Sequence, residues 1–229
     1  MDYQKILDTI GYNFKDPELL SQALTHSSYR RERPSEGEDN ERLEFIGDAI
    51  LDAVIGTELY SRLPKEHEGV LTKLRSLIVC ERSLSNVGRE IGLNTFIKLG
   101  TGERHTGGEF KDSIIADAME ALIGAIFLDG GYETARERIL CILSETIEKA
   151  IDGKLFNDYK SELQEYLQRR EEKPEIIYVT DRAEGPDHNK VFFVHVEAAG
   201  VLYGRGSGKS KKEAGQNAAR EALEKLRGR

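Results

Sequence analysis

Three carboxylates at helical spacing lie in residues 40–48, which read NERLEFIGD. At about 100° per residue, Glu41, Glu44 and Asp48 fall within about 60° of one another around a helix. The apolar residues of the segment lie near the opposite side, so we predict a helix that packs on one face and is acidic on the other. Phe45 falls among the acids, where so large an aromatic ring is either unfavourably exposed or buried against a partner.

A second pair of acids, Asp117 and Glu120, is three residues apart and therefore shares one helix face. Its setting is unusual, because the other residues of 114–128 are nearly all apolar or small. Acids in such a helix must be paired, protonated or bound to a cation. Glu68, in the segment EHEGVLTK, is a further candidate.

These acids predict a metal site. If the two helices pack with their acidic faces together, four carboxylates converge, and such a cluster repels itself unless a cation neutralises it. Carboxylate and water ligands suit Mg²⁺ or Mn²⁺ and not zinc. Two such ions about 4 Å apart can activate water and stabilise the leaving oxygen of a phosphodiester. No Ser-His-Asp or cysteine nucleophile motif competes, and we expect no small-molecule organic cofactor.

The simpler interpretation of the acids is a solvated face on ordinary helices. It is favoured for Glu41 taken alone and disfavoured for the full set, because Asp117 and Glu120 lie in an apolar helix. Asp52 falls on the acidic face a further turn along the first helix, and we expect it to be solvated.

The elements that must position these residues change character along the chain. Through residues 3–150 apolar residues recur at intervals of three and four, which predicts roughly seven helices, no strand and a break at residues 129–131. The elements predicted after Gly153 are a helix over 159–169, strands near 176–180, 191–196 and 201–205, and a helix over 211–226. The predicted fold class is an all-α domain followed by a small α+β domain of order α-β-β-β-α.

The last third of the chain has features of a nucleic-acid surface. Lys209, Lys211 and Lys212 surround a predicted helix start, where lysines and free backbone amides suit phosphate. His188 lies in a predicted turn between strands, and Gln164 lies on a helix from which it could reach sugar hydroxyls. Duplex RNA is recognised largely by shape, through such contacts. A solvated helix cap for the lysines and an ordinary turn residue for His188 remain open alternatives.

The net charge of −8 is unevenly distributed. Residues 157–229 hold 14 Lys and Arg against 13 Asp and Glu, whereas the remaining residues hold 19 and 28. An acid-rich part that binds cations and a later part that binds a polyanion fit this distribution. No long apolar window or leader pattern is present, so we expect a cytoplasmic protein with no membrane partner. Cys80 and Cys141 fit no metal-ligand spacing and are expected as free thiols in the core.

Several segments together resemble ribonuclease III. Residues 40–48 resemble the family's signature, and residues 24–28, 68–76 and 112–125 resemble its other conserved blocks. Residues 158–226 are similar to a double-stranded RNA-binding domain. The resemblance covers nearly the whole chain, in the family's order and spacing. It implies an endonuclease domain at 1–151, a linker at 152–157 and an RNA-binding domain at 158–229.

The resemblance also implies roles for individual residues. Glu44, Asp48, Asp117 and Glu120 would be the metal-binding catalytic carboxylates. Glu41 and Glu68 would support the acidic cluster, and Phe45 would enter a socket on the second subunit of a homodimer. The residues that would contact RNA are Gln164, His188, Lys209, Lys211 and Lys212.

The activity implied is cleavage of double-stranded RNA, with each of two acidic sites cutting one strand. The products would carry 5′-phosphate and 3′-hydroxyl ends with a short 3′ overhang. The family implies processing of ribosomal and other precursor RNAs.

One position departs from the pattern of many such RNA-binding domains. Gly215 stands where a third lysine is frequent, which costs about 1 kcal/mol of helix stability relative to alanine and removes a possible phosphate contact. Two other functions remain alternatives. A non-catalytic RNA-binding scaffold is disfavoured because every expected acid is present, and a phosphohydrolase of small substrates is disfavoured because it needs no RNA-binding module.

Overall fold

Apolar residues at helical spacing build the first part of the chain from helices alone. The computed structural model describes residues 3–153, 155, 159–169, 174–185 and 190–227. The helices are α1 (Gln4–Ile10), α2 (Pro17–Ala23), α3 (Ser27–Glu32), α4 (Glu41–Arg62), α5 (Glu68–Val79), α6 (Glu81–Glu90), α7 (Thr101–His105), α8 (Asp112–Ile142) and α9 (Ser144–Ile151), with 3₁₀ turns at Leu93–Thr95 and Gly108–Phe110. The predicted all-α character is confirmed.

The prediction of roughly seven helices was too low, because the described residues of this part form nine. Helices α3 and α7 have only 6 and 5 residues, too few for apolar periodicity to reveal them. The break predicted at residues 129–131 is a kink within α8, where Gly131 has φ 79° and ψ 177°. Such a positive φ favours glycine.

Helices α4 and α8 form the centre of this part and cross almost in backbone contact. A Cβ atom on Gly47 would lie 1.8 Å from the carbonyl oxygen of Glu120, and one on Gly124 would lie 2.2 Å from that of Leu43. A side chain at either glycine would therefore push the helices apart. Because Gly47 lies within the acidic segment 40–48, the crossing point of the helices also brings their acids together.

The rest of the chain packs helices against a three-stranded antiparallel sheet. Its elements are α10 (Tyr159–Gln168), β1 (Ile176–Glu184), β2 (Val191–Ala198), β3 (Val201–Gly208) and α11 (Lys211–Arg227). The strands lie in the order β1-β2-β3, and the predicted α-β-β-β-α succession is confirmed. Val194 and Val196 are buried in the core with α11, while His195 between them is only partly buried, as the alternation in β2 predicts.

Three side chains on successive turns of α11 hydrogen-bond backbone groups along the outer edge of β3 and at the residue just beyond its end. The pairs are Glu213 with the Lys209 N–H at 2.7 Å, Asn217 with the Ser207 carbonyl at 2.8 Å, and Glu221 with the Arg205 N–H at 3.0 Å. These bonds satisfy strand groups that have no neighbouring strand on that side.

The chain separates into two compact units, Met1–Leu155 and Phe156–Arg229, each with its own apolar core. No helix among the described residues is both long enough and apolar enough to cross a bilayer. The expectation of two core thiols was wrong. Both cysteines are free, but Cys80 is partly buried and Cys141 is exposed, because Cys141 falls on the solvent side of α8.

Candidate functional site

Helices α4 and α8 place the four acids of interest next to one another. Glu44 and Asp48 lie one turn apart on α4, and Asp117 and Glu120 lie one turn apart on α8. Their proximity is evident in Glu120, whose pKa is raised first by burial and then by the charges of Asp48, Glu44 and Asp117. The close crossing at Gly47 holds the two pairs face to face.

Burial and mutual repulsion both disfavour ionisation in this cluster. Burial is the largest cause of the raised pKa of Glu120, which reaches about 8 from an ordinary value of 4.5, and the neighbouring carboxylates add to it. Burial, followed by the charge of Asp117, also raises the pKa of Glu44. Burial raises the pKa of Asp117. The cluster therefore retains protons that a bound cation would displace.

The donor set fits a hard divalent cation. In the part of the chain that the structure describes, no three His, Cys, Asp or Glu side chains are already gathered closely enough to hold a metal ion. Carboxylate oxygens on two packed helices are the ligands that such cations prefer.

The two supporting acids have different positions. Glu41 is exposed, lines a pocket together with Glu44 and Asp117, and raises the pKa of Glu44. Glu68, at the start of α5, accepts a hydrogen bond from the Thr72 hydroxyl at 2.9 Å. Among the described residues Glu68 is not one of the groups that shift the pKa values of the buried acids. Of these two supporting acids, Glu41 is the one that lines the pocket with Glu44 and Asp117.

The charge of Asp52 acts on the acidic cluster, which the helix geometry alone does not predict. Its carboxylate lies 3.7 Å from the Arg75 guanidinium of α5, and its charge contributes to the raised pKa of Glu120. Asp52 is accessible to solvent, as expected, but it also pairs with a cation of α5 that no pattern within α4 reveals.

A pocket of about 360 Å³ opens beside the acids, lined by His26, Ser27, Asn40, Glu41, Glu44 and Asp117. Sequence reasoning gave no role to His26 or Asn40, although both lie in segments that carry the resemblance. The signal for Asn40 was ambiguous, because asparagine before a helix is ordinarily explained as an N-cap.

The His26 ring is held by its neighbours. Its Nδ1 accepts the Ser28 N–H at 3.3 Å and lies 2.8 Å from Ser28 Oγ, which itself accepts the Gly100 N–H at 2.9 Å. With Nδ1 accepting, a neutral ring carries its proton on Nε2. Burial lowers the pKa of His26, which favours that neutral form.

Phe45 is among the most exposed large apolar side chains in the described residues, with 79% of its surface accessible. It projects from the same helix as Glu44 and Asp48. Because an exposed phenylalanine gains free energy when a partner buries it, the position agrees with the contact predicted from the sequence.

The predicted RNA-binding residues that the structure describes are all accessible. Lys209, Lys211, Lys212 and Gln164 are exposed, and His188 lies outside the described residues. The cap of α11 is made by other groups, since Ser210 Oγ accepts the Glu213 N–H at 3.1 Å. None of the three lysines makes an ion pair in the described part of the chain, so their charges are available to a ligand.

Gly215 makes room for another cation. A Cβ atom at this position would lie 2.4 Å from Cε of Lys160, whose ammonium group lies 4.0 Å from the centre of the Tyr178 ring. Gly215 follows Lys211 by four residues and Lys212 by three, so these residues share a helix face. Helix α11 thus has no lysine at position 215, and Lys160 of α10 lies beside the same face of α11 instead.

The raised pKa of Glu120 predicts how stability depends on pH. Its folded value of about 8 exceeds its ordinary 4.5, so the folded state binds this proton more tightly than the unfolded state. In chelator, melting temperature should therefore fall as pH rises from 4.5 to about 8. Scanning calorimetry across this range checks the prediction, and Glu120→Gln should flatten the slope. Parallel curves for the two proteins would contradict it.

The fold and the acids together define a class, a divalent-metal nuclease with an attached nucleic-acid-binding unit. The family model described as "Ribonuclease-III-like" matches residues 16–146, and that described as "Double-stranded RNA binding motif" matches residues 159–226. The chain belongs to the ribonuclease III family. It is an endonuclease of double-stranded RNA and depends, as the family does in general, on divalent metal.

Two curated relatives are similar to this chain over nearly its full length, and a solved nuclease domain is similar to part of it. "Ribonuclease 3" of Caldanaerobacter subterraneus is 48% identical over 217 residues, which is 95% of each chain. "Ribonuclease 3" of Pelotomaculum thermopropionicum is 47% identical over 94% of this chain and 90% of its own. The solved nuclease domain of ribonuclease III from Campylobacter jejuni is 40% identical, has a TM-score of 0.59, and covers 63% of this chain and 97% of its own.

Proposed function

We propose that the chain cleaves both strands of an RNA duplex by two-metal-ion hydrolysis, with Glu44, Asp48, Asp117 and Glu120 as the metal-binding catalytic residues. The observation that carries this proposal is the half-buried Glu120, whose pKa is raised to about 8 by burial and by the three other acids. Burying a carboxyl group beside three other acids disfavours its ionised form. A role as a cation ligand would explain why Glu120 occupies this position.

Mg²⁺ is the proposed metal and Mn²⁺ a substitute, since both prefer carboxylate and water oxygens. When bound, such ions supply activated water and stabilise the departing oxygen of the phosphodiester. The chain's own contribution is to hold four carboxylates in place, with the α4–α8 crossing fixing their separation. The expected products have 5′-phosphate and 3′-hydroxyl ends.

We propose a homodimer, with Phe45 buried against the second subunit. Its exposure of 79% supports this, as does a solved relative from Campylobacter jejuni whose description refers to a "region involved in dimer formation". Two sites related by symmetry could cut the two strands at staggered positions, which would leave short 3′ overhangs. Glu68, which does not line the pocket beside the acids, is proposed to support the acidic site in the assembled dimer.

Gln164, His188, Lys209, Lys211 and Lys212 are proposed to contact the duplex. We propose in addition a cytoplasmic location and processing of ribosomal and other precursor RNAs. The exposed, unpaired lysines support a phosphate-binding role, because phosphate contacts supply most of the affinity for a nucleic-acid duplex.

Replacing a residue that is proposed to contact phosphate should weaken duplex binding and should also make that binding less dependent on salt. Lys212→Gln is expected to lower the slope of log affinity against log salt by about 1 for all duplex sequences. Fluorescence anisotropy over a salt series measures this slope. Lys225→Gln is a matched control on the same helix, since Lys225 pairs with Glu221. Equal slopes for Lys212→Gln and wild type would remove Lys212 from the interface.

Cleavage of a labelled RNA duplex tests the proposed function. Wild-type protein with Mg²⁺ should cut the duplex and leave a matched single strand intact, and excess chelator should abolish cutting. End analysis should show 5′-phosphates. Duplex binding without cutting under any divalent metal would replace the enzyme by an RNA-binding scaffold.

A further inference from the structure

The Asn40 side chain has an unsatisfied hydrogen-bond donor. Asn40 is only 2% exposed, and its Nδ2 atom is buried with no hydrogen-bond partner in the described residues. Buried donors are nearly always paired in folded proteins, because leaving one unpaired costs its full desolvation penalty. Such a group requires a physical explanation.

The usual explanation for an asparagine before a helix does not apply here. Asn40 has helical angles, φ −87° and ψ −9°, and within the described chain its side chain makes no capping hydrogen bond to α4. Asp39 Oδ1 instead accepts the Glu41 N–H, at 3.3 Å. The carboxamide of Asn40 is therefore not needed to begin the helix.

The backbone fixes the Asn40 side chain beside the acids. Its N–H donates to the Thr25 carbonyl at 2.9 Å, and its carbonyl accepts the Glu44 N–H at 2.9 Å. Asn40 thus lines the same pocket as Glu44 and Asp117, where carboxylate oxygens are the available acceptors. Asn40, whose Nδ2 is unpaired, and the acceptors of Glu44 and Asp117 therefore belong to the lining of one pocket.

We propose that Asn40 is a positioning residue of the acidic site. When a divalent cation draws the carboxylates together, Asn40 Nδ2 donates a hydrogen bond to an oxygen of Glu44 or Asp117 and fixes that carboxylate as a ligand. Carboxylates that bind metals are ordinarily held by such outer hydrogen bonds. The inference rests on the proposed function, since it presumes that the acids bind the cation.

Asn40→Ala tests the inference in the full-length protein. Mn²⁺ affinity, measured by calorimetry without RNA, should fall about 10- to 100-fold, as is typical for loss of an outer-sphere partner. Half-maximal duplex cleavage should shift to correspondingly higher Mg²⁺, with partial recovery at saturation, while duplex affinity stays unchanged. Melting temperature in chelator should be equal to that of wild type or higher, because the variant removes an unpaired buried donor.

Two further variants separate positioning from structural support. Asn40→Leu fills more of the space left by the asparagine side chain than alanine does, but it has no hydrogen-bond donor. It should therefore reproduce the loss of Mn²⁺ affinity even if Asn40→Ala folds poorly. Ser83→Ala removes a buried hydroxyl that donates to the Leu77 carbonyl and does not line the pocket beside the acids. It should lower the melting temperature and leave Mn²⁺ affinity unchanged.

The outcomes separate this inference from the proposed function. If wild-type protein neither binds Mn²⁺ nor cuts duplex RNA, the proposed function fails. If wild type does both and the two Asn40 variants match its Mn²⁺ affinity, the positioning role is wrong. A lower melting temperature in both variants with unchanged Mn²⁺ affinity would make Asn40 a structural residue only.

Discussion

Glu120→Gln is expected to reduce cleavage of an RNA duplex by more than about 100-fold, since loss of a metal ligand should exceed the loss from an outer-sphere partner. Glutamine has nearly the same shape but carries no charge, so the proposed cation site would lose one of its four carboxylates. Duplex affinity should be no weaker than that of wild type, because the lysines of α11 are unaffected. Single-turnover cleavage and anisotropy measure the two quantities separately.

Glu133→Gln is the matched control for this variant. Glu133 is an exposed acid on the same helix, beyond the kink at Gly131, so its loss should leave cleavage and metal dependence unchanged. Wild-type cleavage by Glu120→Gln would remove Glu120 from the catalytic set. Equal losses of cleavage and of duplex binding would instead indicate a general folding defect.

Gly47→Ala is expected to destabilise the nuclease unit by about 3 kcal/mol, the upper end of the usual cost of overpacking. The added Cβ atom would lie 1.8 Å from the Glu120 carbonyl oxygen, and backbone cannot rotate away as a side chain can. Helices α4 and α8 must therefore separate, which moves the acids of the two helices apart. Denaturant unfolding measures the free energy, and the cleavage assay should show a parallel loss.

Gly56→Ala provides the comparison on the same helix. A Cβ atom there would have the Arg75 side chain as its nearest described neighbour, at 3.9 Å, so no clash arises. Alanine should then raise stability by about 1 kcal/mol through helix propensity. Equal stabilities of Gly47→Ala and Gly56→Ala would show that α4 and α8 do not cross as closely as described.

The sequence predicts the faces of the helices well, because those depend only on a fixed rotation per residue. That rotation correctly put Glu44 and Asp48 on one face of α4, and the apolar surroundings of Asp117 and Glu120 marked them as unusual. The succession of strands in the second unit was equally predictable, because the alternation of side chains between the two faces of β2 depends only on neighbouring residues.

Contacts between distant segments were not predictable from such patterns. The pairing of Asp52 with Arg75 depends on how α5 packs beside α4, and the closeness at Gly47 depends on Gly124 of another helix. The exposure of Cys141 follows from the rotation of α8 beyond its kink. Asn40 was hidden for a different reason, because its ordinary role as a helix cap gave a sufficient local explanation.

The bonds from Asn217 and Glu221 to the edge of β3 also bear on self-association. An open strand edge is where sheets most readily recruit strands from other chains, which leads to aggregation. Along a long RNA duplex, many copies of the binding unit would be crowded side by side. Because Asn217 and Glu221 of α11 already engage the outward backbone groups of Ser207 and Arg205, those groups are not free to pair with a strand from another chain, even when copies are crowded on RNA.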